Sequence, residues 1–330
     1  MTIPATMRAV TQTGPGGPEV LRVETLSVPK PGPGQVLIRV AWAGVNPHDF
    51  GQRLRGAPPA GQTPVFGLEC SGEIVAVGDD SAKSRIGEKV CALVPGGGYA
   101  EYCLSPAGLA MPQSAGLSQK EAGAVMENVF TAWFNMVELA GLKVGERVLA
   151  PGGTGNIGST AIQIATLIGA EAYATVGTEE KRRICIGLGA KAAVNYRTDD
   201  VVQAIMTATG GAGIDVVVDT VGVGYTDKNI DMLAKDGRVV YISGGKGAKP
   251  VIAVSALMQK RARVMGSLMR PLEMPRKLAV ARALQERVWP VLGTKIKVLI
   301  DSEFTLEQAA EAHRRGESGE TTGKILFKVG

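Results

Sequence analysis

Histidine is almost missing from this chain: His48 and His313 are the only two in 330 residues. That is far too few for a metal site built on imidazoles. Cysteine is sparse too. Cys70, Cys91, Cys103 and Cys185 include no CxxC pair, so they read as reduced thiols of a cytoplasmic protein. No apolar run is long enough to span a membrane. The segment Met1 to Val10 lacks the charged-then-apolar layout of a secretory leader. A dense basic face is lacking as well. The net charge is +5, and Lys and Arg are scattered apart from small clusters at Lys181-Arg182-Arg183 and Lys260-Arg261-Arg263. That balance suits an anionic cofactor and speaks against nucleic acid. There is no internal repeat and no low-complexity tract.

What remains is an ordinary globular composition, 45% hydrophobic and 20% charged, at a length that predicts two domains. The first third is β-rich. Strands are expected at Val36–Val40, Glu73–Gly78 and Gly87–Ala92, with Gly and Pro punctuation that suggests a barrel-like domain. From about Ser118 the pattern changes. Glu121 to Leu139 reads as helical, and strands and helices then alternate. Strands are expected at Val148–Ala150, Ala172–Val176, Ala192–Tyr196, Asp215–Asp219, Arg238–Ile242 and Arg263–Gly266. Helices should begin near Asn156, Thr178, Asp199, Thr226 and Ser255. This alternation predicts a doubly wound α/β fold on a parallel sheet. The tail reads as a helix from Pro275 to Leu292, a segment Ile296–Ile300, a helix at Leu306–Arg315 and a last strand Lys324–Val329.

The most informative stretch is Gly153-Thr154-Gly155-Asn156-Ile157-Gly158. It follows the apolar run Val148-Leu149-Ala150 and opens an amphipathic run to Ile168. Strand, glycine turn and helix start in that order predict a dinucleotide site. The glycines admit a pyrophosphate, and the helix N-terminus supplies N–H groups and partial positive charge. The tip of the next strand chooses between NAD and NADP. An NAD site places Asp or Glu there for the ribose hydroxyls. Here Gly177 takes that place, and Lys181 follows one turn on. Room and positive charge together predict NADPH, with Tyr196 flanking the adenine ribose. Alternatively, Lys181 and Arg182 are a solvated helix face. Val221-Gly222, Ser243-Gly244 and Ser267-Leu268 stand at later strand ends, as cofactor contacts or as ordinary loop residues.

The chain resembles the medium-chain dehydrogenase/reductase family in its zinc-independent, zeta-crystallin-like quinone oxidoreductase branch. The resemblance rests on Gly14–Leu21, Pro31–Leu37, Ala43-Gly44-Val45-Asn46-Pro47-His48-Asp49, Gly96–Tyr102, Thr131-Ala132, the glycine turn, and Glu311-Ala312-His313 with Gly323-Lys324-Ile325. It covers nearly the whole chain. Asn156 and Ile157 replace the glycine and valine usual inside the family's glycine turn. The resemblance implies a GroES-like β-barrel catalytic domain, residues 1–124 and 268–330, with a Rossmann domain at 125–267 inserted. It also implies a homodimer or homotetramer.

Alcohol dehydrogenases of this superfamily carry a zinc-binding Cys where this chain has Asn46, and a His where it has Leu68. The resemblance therefore implies chemistry without a metal: direct hydride transfer from NADPH to a quinone held between the domains. Asn46 would donate to the acceptor oxygen as charge grows there, or else simply form a turn. Thr131 would lie near the nicotinamide, or else bond to its own helix. Phe50, Met126 and Phe130 would line the substrate pocket, or else belong to the core. Asp49 is expected to cap a helix starting near Phe50. Two other activities are open: an enone or alkenal (enoyl) reductase, and an NADPH-binding protein that senses redox state or binds RNA.

Overall fold

The structure is a computed structural model and describes residues 2–56, 58, 62–222, 224–244 and 252–330. The chain forms two compact units. One comprises Met1–Glu127, Glu273–Thr294 and Val298–Gly330; the other comprises Asn128–Leu272 with Lys295–Lys297.

The first unit is the GroES-like one. Its strands are β1 (Thr6–Gln12), β2 (Leu21–Ser27), β3 (Gln35–Gly44), β4 (Glu69–Val77), β5 (Lys89–Leu93), β6 (Tyr102–Pro106) and β7 (Ala110–Pro112). β1 and β2 form an antiparallel pair. β3 pairs with β4 and β6, β4 with β5, and β5 with β7, all antiparallel. Val36, Ile38 and Val40 of β3, Ile74 of β4 and Val90 of β5 belong to one buried cluster with Phe66, Tyr99 and Phe327. Val36, Ile38 and Val40 alternate along β3 and so share one face, and Leu37 between them is buried too.

A helix, α1 (Pro47–Arg55), follows β3. It starts earlier than the sequence suggests, because Pro47 takes the first helical position, where a missing N–H costs nothing. Asp49 therefore caps from inside the helix. Its Oδ2 accepts the Asn46 backbone N–H at 2.9 Å.

The expected helix 121–139 is broken into α2 (Gln119–Ala122), α3 (Met126–Trp133) and a π-helical turn Phe134–Leu139. Gly123 separates the first two; a Cβ there would meet the Trp42 Cβ at 2.7 Å.

The second unit holds six parallel strands: β8 (Arg147–Pro151), β9 (Glu171–Val176), β10 (Ala190–Asn195), β11 (Ile214–Asp219), β12 (Leu233–Tyr241) and β13 (Arg263–Gly266). Their order is β10-β9-β8-β11-β12-β13, so the sheet grows outward in both directions from β8. The reversal between β8 and β11 is where a doubly wound sheet opens a ligand crevice at its carboxyl edge. Val148, Leu149, Val216, Val217, Val239 and Val240 are fully buried, as strands covered on both faces should be. The connecting helices are α4 (Asn156–Ile168), α5 (Glu179–Gly187), α6 (Val201–Ala208), α7 (Thr226–Met232) and α8 (Val254–Lys260).

The tail carries α9 (Met274–Arg287), β14 (Ile300–Phe304), α10 (Ala309–Glu317) and β15 (Lys324–Lys328). β15 pairs with β3 and with β14, so the tail joins the sheet of the first unit. Of the segment 296–300, only Ile300 enters a strand. Among the described residues no helix is long and apolar enough to cross a membrane.

Candidate functional site

The glycine turn stands at the carboxyl end of β8. Gly152 has a φ of +68°, a left-handed conformation that suits glycine. Gly153 is required by space: a Cβ would come within 2.6 Å of the Ala174 Cβ and 2.7 Å of the Cys185 Sγ. A Cβ on Gly158 would lie 2.4 Å from the Gly152 carbonyl oxygen. The turn is thereby packed tightly onto β9 and α5.

Gly155 is the N-cap residue of α4. It supplies no side-chain acceptor, and the first turn holds no acidic residue. The amides opening the helix at Asn156, Ile157 and Gly158 are left to an anion from outside the helix. Asn156 Oδ1 is buried there without a hydrogen-bond partner, an acceptor that a ribose hydroxyl would satisfy. These features fit a dinucleotide pyrophosphate.

At the tip of β9, Gly177 faces the end of β10. A Cβ on Gly177 would lie 2.6 Å from the Tyr196 hydroxyl and 3.2 Å from Arg197 Nε. Tyr196 is itself 42% exposed. Thr178 caps α5 by accepting the Lys181 backbone N–H at 3.2 Å.

The loop after β11 is fixed by Asp219. Its Oδ1 accepts the backbone N–H groups of Val221 and Gly222 at 2.6 and 2.7 Å, and its Oδ2 accepts from Asn229 Nδ2 at 2.5 Å. Burial raises the Asp219 pKa despite these donors. Thr220 Oγ1 donates to the Pro151 carbonyl at 3.2 Å, which ties this loop to the glycine-turn strand. Ser243 and Gly244 follow the end of β12.

Beyond β13, Ser267 donates its hydroxyl to Asn135 Oδ1 at 2.6 Å, and Asn135 Nδ2 donates to the Thr131 carbonyl at 2.8 Å. Ser267 and Thr131 are thus joined through Asn135 in the π-helical turn. Leu268 is 70% exposed.

Asn46 lies in the first unit, in a buried polar cluster. Its Nδ2 donates to Glu69 Oε1 at 3.0 Å and to the Gly44 carbonyl at 3.3 Å. Its Oδ1 accepts from Lys324 Nζ at 2.7 Å. Lys324 also pairs with Glu69 Oε1 at 2.6 Å, and Glu69 Oε2 accepts the Glu127 backbone N–H at 3.0 Å. Lys324 and Glu69 are 1% and 0% exposed, so each charge depends on the other. Gly44 makes the room: a Cβ there would clash with the Glu69 carboxylate, lying 2.7 Å from its Cδ.

Beside the cluster, Asp49 Oδ2 also accepts the Tyr99 hydroxyl at 2.6 Å, while Oδ1 has no partner. Burial pushes the Asp49 pKa up to about 6. Phe50 packs edge-on against His313, with ring centroids 4.9 Å apart. His313 Nδ1 lies 3.0 Å from the Arg53 guanidinium. Burial, then the Arg53 charge, pushes the His313 pKa down to about 3. Met126 and Phe130 are fully buried.

Sequence reasoning assigns no role to Glu69, Lys324, Asp219 or Asn135. Glu69 stands in plain view after Leu68, and Lys324 inside the Gly323-Lys324-Ile325 ending, but no spacing rule links residues so far apart. Among the described residues no group of three or more His, Cys, Asp or Glu is placed to hold a metal ion. All four cysteines are free and buried.

Comparison with known proteins places these sites in context. Residues 32–141 match the family model described as the alcohol dehydrogenase GroES-like domain, and residues 156–284 match the one described as zinc-binding dehydrogenase. The chain is 32% identical over 321 residues to a phenolphthiocerol/phthiocerol polyketide synthase of Mycobacterium tuberculosis; the match covers 96% of this chain but spans only 14% of that protein. It is 32% identical to the quinone oxidoreductase of Homo sapiens, over 97% of each chain. Among solved structures, one described as an NAD-dependent alcohol dehydrogenase superposes with a TM-score of 0.87 at 32% identity, covering 98% of this chain and 100% of that one. The CurK enoyl reductase superposes with a TM-score of 0.86 at 25% identity, covering 98% and 99%.

Proposed function

As a member of the medium-chain dehydrogenase/reductase family, in its quinone oxidoreductase branch, the chain is an oxidoreductase, and we propose that it is an NADPH-dependent quinone reductase working without a metal. The observation that carries this reading is the ammonium of Lys324, 2.7 Å from Asn46 Oδ1. It puts a buried positive charge where the metal-using relatives would need a divalent cation. A divalent cation held at the Asn46 position would be repelled by this buried ammonium.

The glycine turn, the opening amides of α4 and the Asp219-held loop would hold the dinucleotide, with Gly177 and Tyr196 at its adenosine end. Val221, Gly222, Ser243, Gly244, Ser267 and Leu268 would border it further along the strand ends. When bound, the reduced nicotinamide supplies a hydride. The chain's own residues orient and do not form a covalent bond. Asn135 holds Thr131 and Ser267 in one arrangement on the nicotinamide side.

Asn46 is held by Lys324 and Glu69 with its amide plane fixed. Its longer hydrogen bond, 3.3 Å to Gly44, is the one it would exchange for an oxygen gaining negative charge. Phe50, Met126 and Phe130 would supply apolar surface to the substrate. Water completes the reduction by supplying a proton. We take the protein to be cytoplasmic, in keeping with its free thiols. We also take it to be a homodimer or homotetramer formed at the open β13 edge, and sedimentation would check this.

A second reading is favoured by the polyketide synthase relative and by the CurK enoyl reductase: reduction of a conjugated carbonyl. Steady-state NADPH oxidation with small ortho- and para-quinones, set against alkenals of similar size, separates the two. Quinone kcat/KM should exceed the alkenal value at least tenfold. Saturable NADPH binding with no turnover on any quinone would sink the proposal.

A further inference from the structure

Gly177 stands where an NAD site carries its acid, and the structure shows what occupies the freed space. Its backbone is not in the left-handed region, so glycine is not needed there for conformation. It is needed for room. A Cβ would lie 2.6 Å from the Tyr196 hydroxyl, 3.0 Å from its Cζ and 3.2 Å from Arg197 Nε. Two side chains from the end of β10 fold across the tip of β9, and one is a cation.

Arg197 is the arginine of this unit that lies against Gly177, and several of the unit's other arginines are tied up in ion pairs. Arg147 is paired with Asp215, Arg182 with Glu179, Arg238 with Glu146 and Arg261 with Asp236. Among the described residues the Arg197 guanidinium has no such carboxylate. The acid nearest in sequence is already committed. Asp199 accepts the Asn195 N–H at 3.0 Å and the Thr198 hydroxyl at 2.8 Å. The Arg197 backbone is meanwhile tethered, its N–H donating to Asn195 Oδ1 at 3.1 Å. The residue is exposed, so a ligand can reach it. The result is a held backbone, an open guanidinium and an aromatic hydroxyl beside it, over a glycine that removes the competing carboxylate.

We propose that Arg197 is the residue that selects NADPH over NADH, its guanidinium receiving the 2′-phosphate across Gly177. The fork of N–H donors suits a phosphate better than a ribose diol. Lys181, on the first turn of α5, then plays a secondary part. This inference rests on the reading of the cofactor as NADPH, and it names the discriminating residue.

Titration calorimetry with 2′,5′-ADP and 5′-AMP tests it on the full chain, because the two probes differ only in the phosphate. The wild type should bind 2′,5′-ADP at least tenfold more tightly than 5′-AMP. Arg197→Ala should lose at least tenfold for 2′,5′-ADP and leave 5′-AMP within twofold, and Lys181→Ala should lose less. Gly177→Asp, which puts a carboxylate beside Arg197, should abolish the preference. Unchanged 5′-AMP binding shows that Arg197→Ala and Lys181→Ala are folded, and an unchanged far-UV circular dichroism spectrum shows it for Gly177→Asp. If the wild type discriminates and Arg197→Ala discriminates equally well, the inference about Arg197 is overturned while the NADPH reading stands. If the wild type binds both probes alike, the NADPH reading itself fails, and this inference with it.

Discussion

Two regions of this molecule carry buried or clustered polar groups, and they use them in opposite ways. Around Asn46, the buried charges of Lys324 and Glu69 face each other. Lys324 meets Glu69 and Asn46, and Glu69 also takes the Glu127 N–H. At the carboxyl edge of the parallel sheet, groups are left open. The start of α4 has no side-chain acceptor, Asn156 Oδ1 has no partner, and the Arg197 guanidinium faces Gly177. Burial makes an unpaired charge costly, so a paired cluster reads as structure and positioning. Exposure makes an unpaired charge cheap, so an open one beside a packed glycine turn reads as a ligand's place.

If that contrast holds, the largest effect should come from breaking the closed cluster. Lys324→Met strands the Glu69 carboxylate, and urea unfolding should show a loss of about 3–5 kcal/mol. Adding Glu69→Gln should restore much of it, because the two residues are coupled. Simple additivity of the two losses would contradict the picture of a mutually dependent pair.

The next effect is one of pH. His313, pushed down to about 3, stays neutral while the unfolded chain protonates below about 6.5. Its contribution therefore weakens as pH falls from 6.5 toward 3, by up to about 1.4 kcal/mol per pH unit. Asp49, pushed up to about 6, has the opposite sign. The folded state holds the proton that the unfolded state gives up, so its contribution falls as pH rises from about 4 to 6. In the wild type these slopes oppose each other across that window. His313→Gln should gain stability on acidification from pH 6 to 4, and Asp49→Asn should lose it. Identical pH profiles for the wild type and both variants would refute these assignments.

A smaller loss is expected from Gly153→Ala. The new methyl meets the Ala174 Cβ at 2.6 Å and the Cys185 Sγ at 2.7 Å, an overpacking of about 1–3 kcal/mol. NADPH affinity should fall with it, since the turn must shift. At the open edge, Arg197→Ala should change unfolding stability by no more than about 0.5 kcal/mol while its phosphate selectivity disappears. A thermal scan beside the calorimetry checks this. A large drop in Tm for Arg197→Ala would erase the distinction between the two regions.

Much of the fold is legible in the sequence because parallel strands buried on both faces read as short apolar runs. Val148–Ala150, Ala172–Val176 and Asp215–Asp219 fall within β8, β9 and β11. The strand β14 escapes such a reading because it is an edge strand of half-buried residues, which leaves no clear apolar pattern. The start of α1 is misjudged for a different reason. An acid near a helix start suggests a cap that precedes the helix, whereas Asp49 reaches back from the third helical position. At the site, the glycine turn and Gly177 announce themselves by local spacing. Lys324 and Glu69 do not, being 255 positions apart. Arg197 becomes visible only once β10 is known to lie beside β9. No local rule in the sequence pairs a glycine at one strand tip with an arginine at the next.

The most direct measurement is the affinity of the wild-type protein for NADPH and NADH, by direct titration in one buffer at one ionic strength. The account predicts NADPH to bind at least tenfold more tightly. Equal affinities, or tighter binding of NADH, would contradict it.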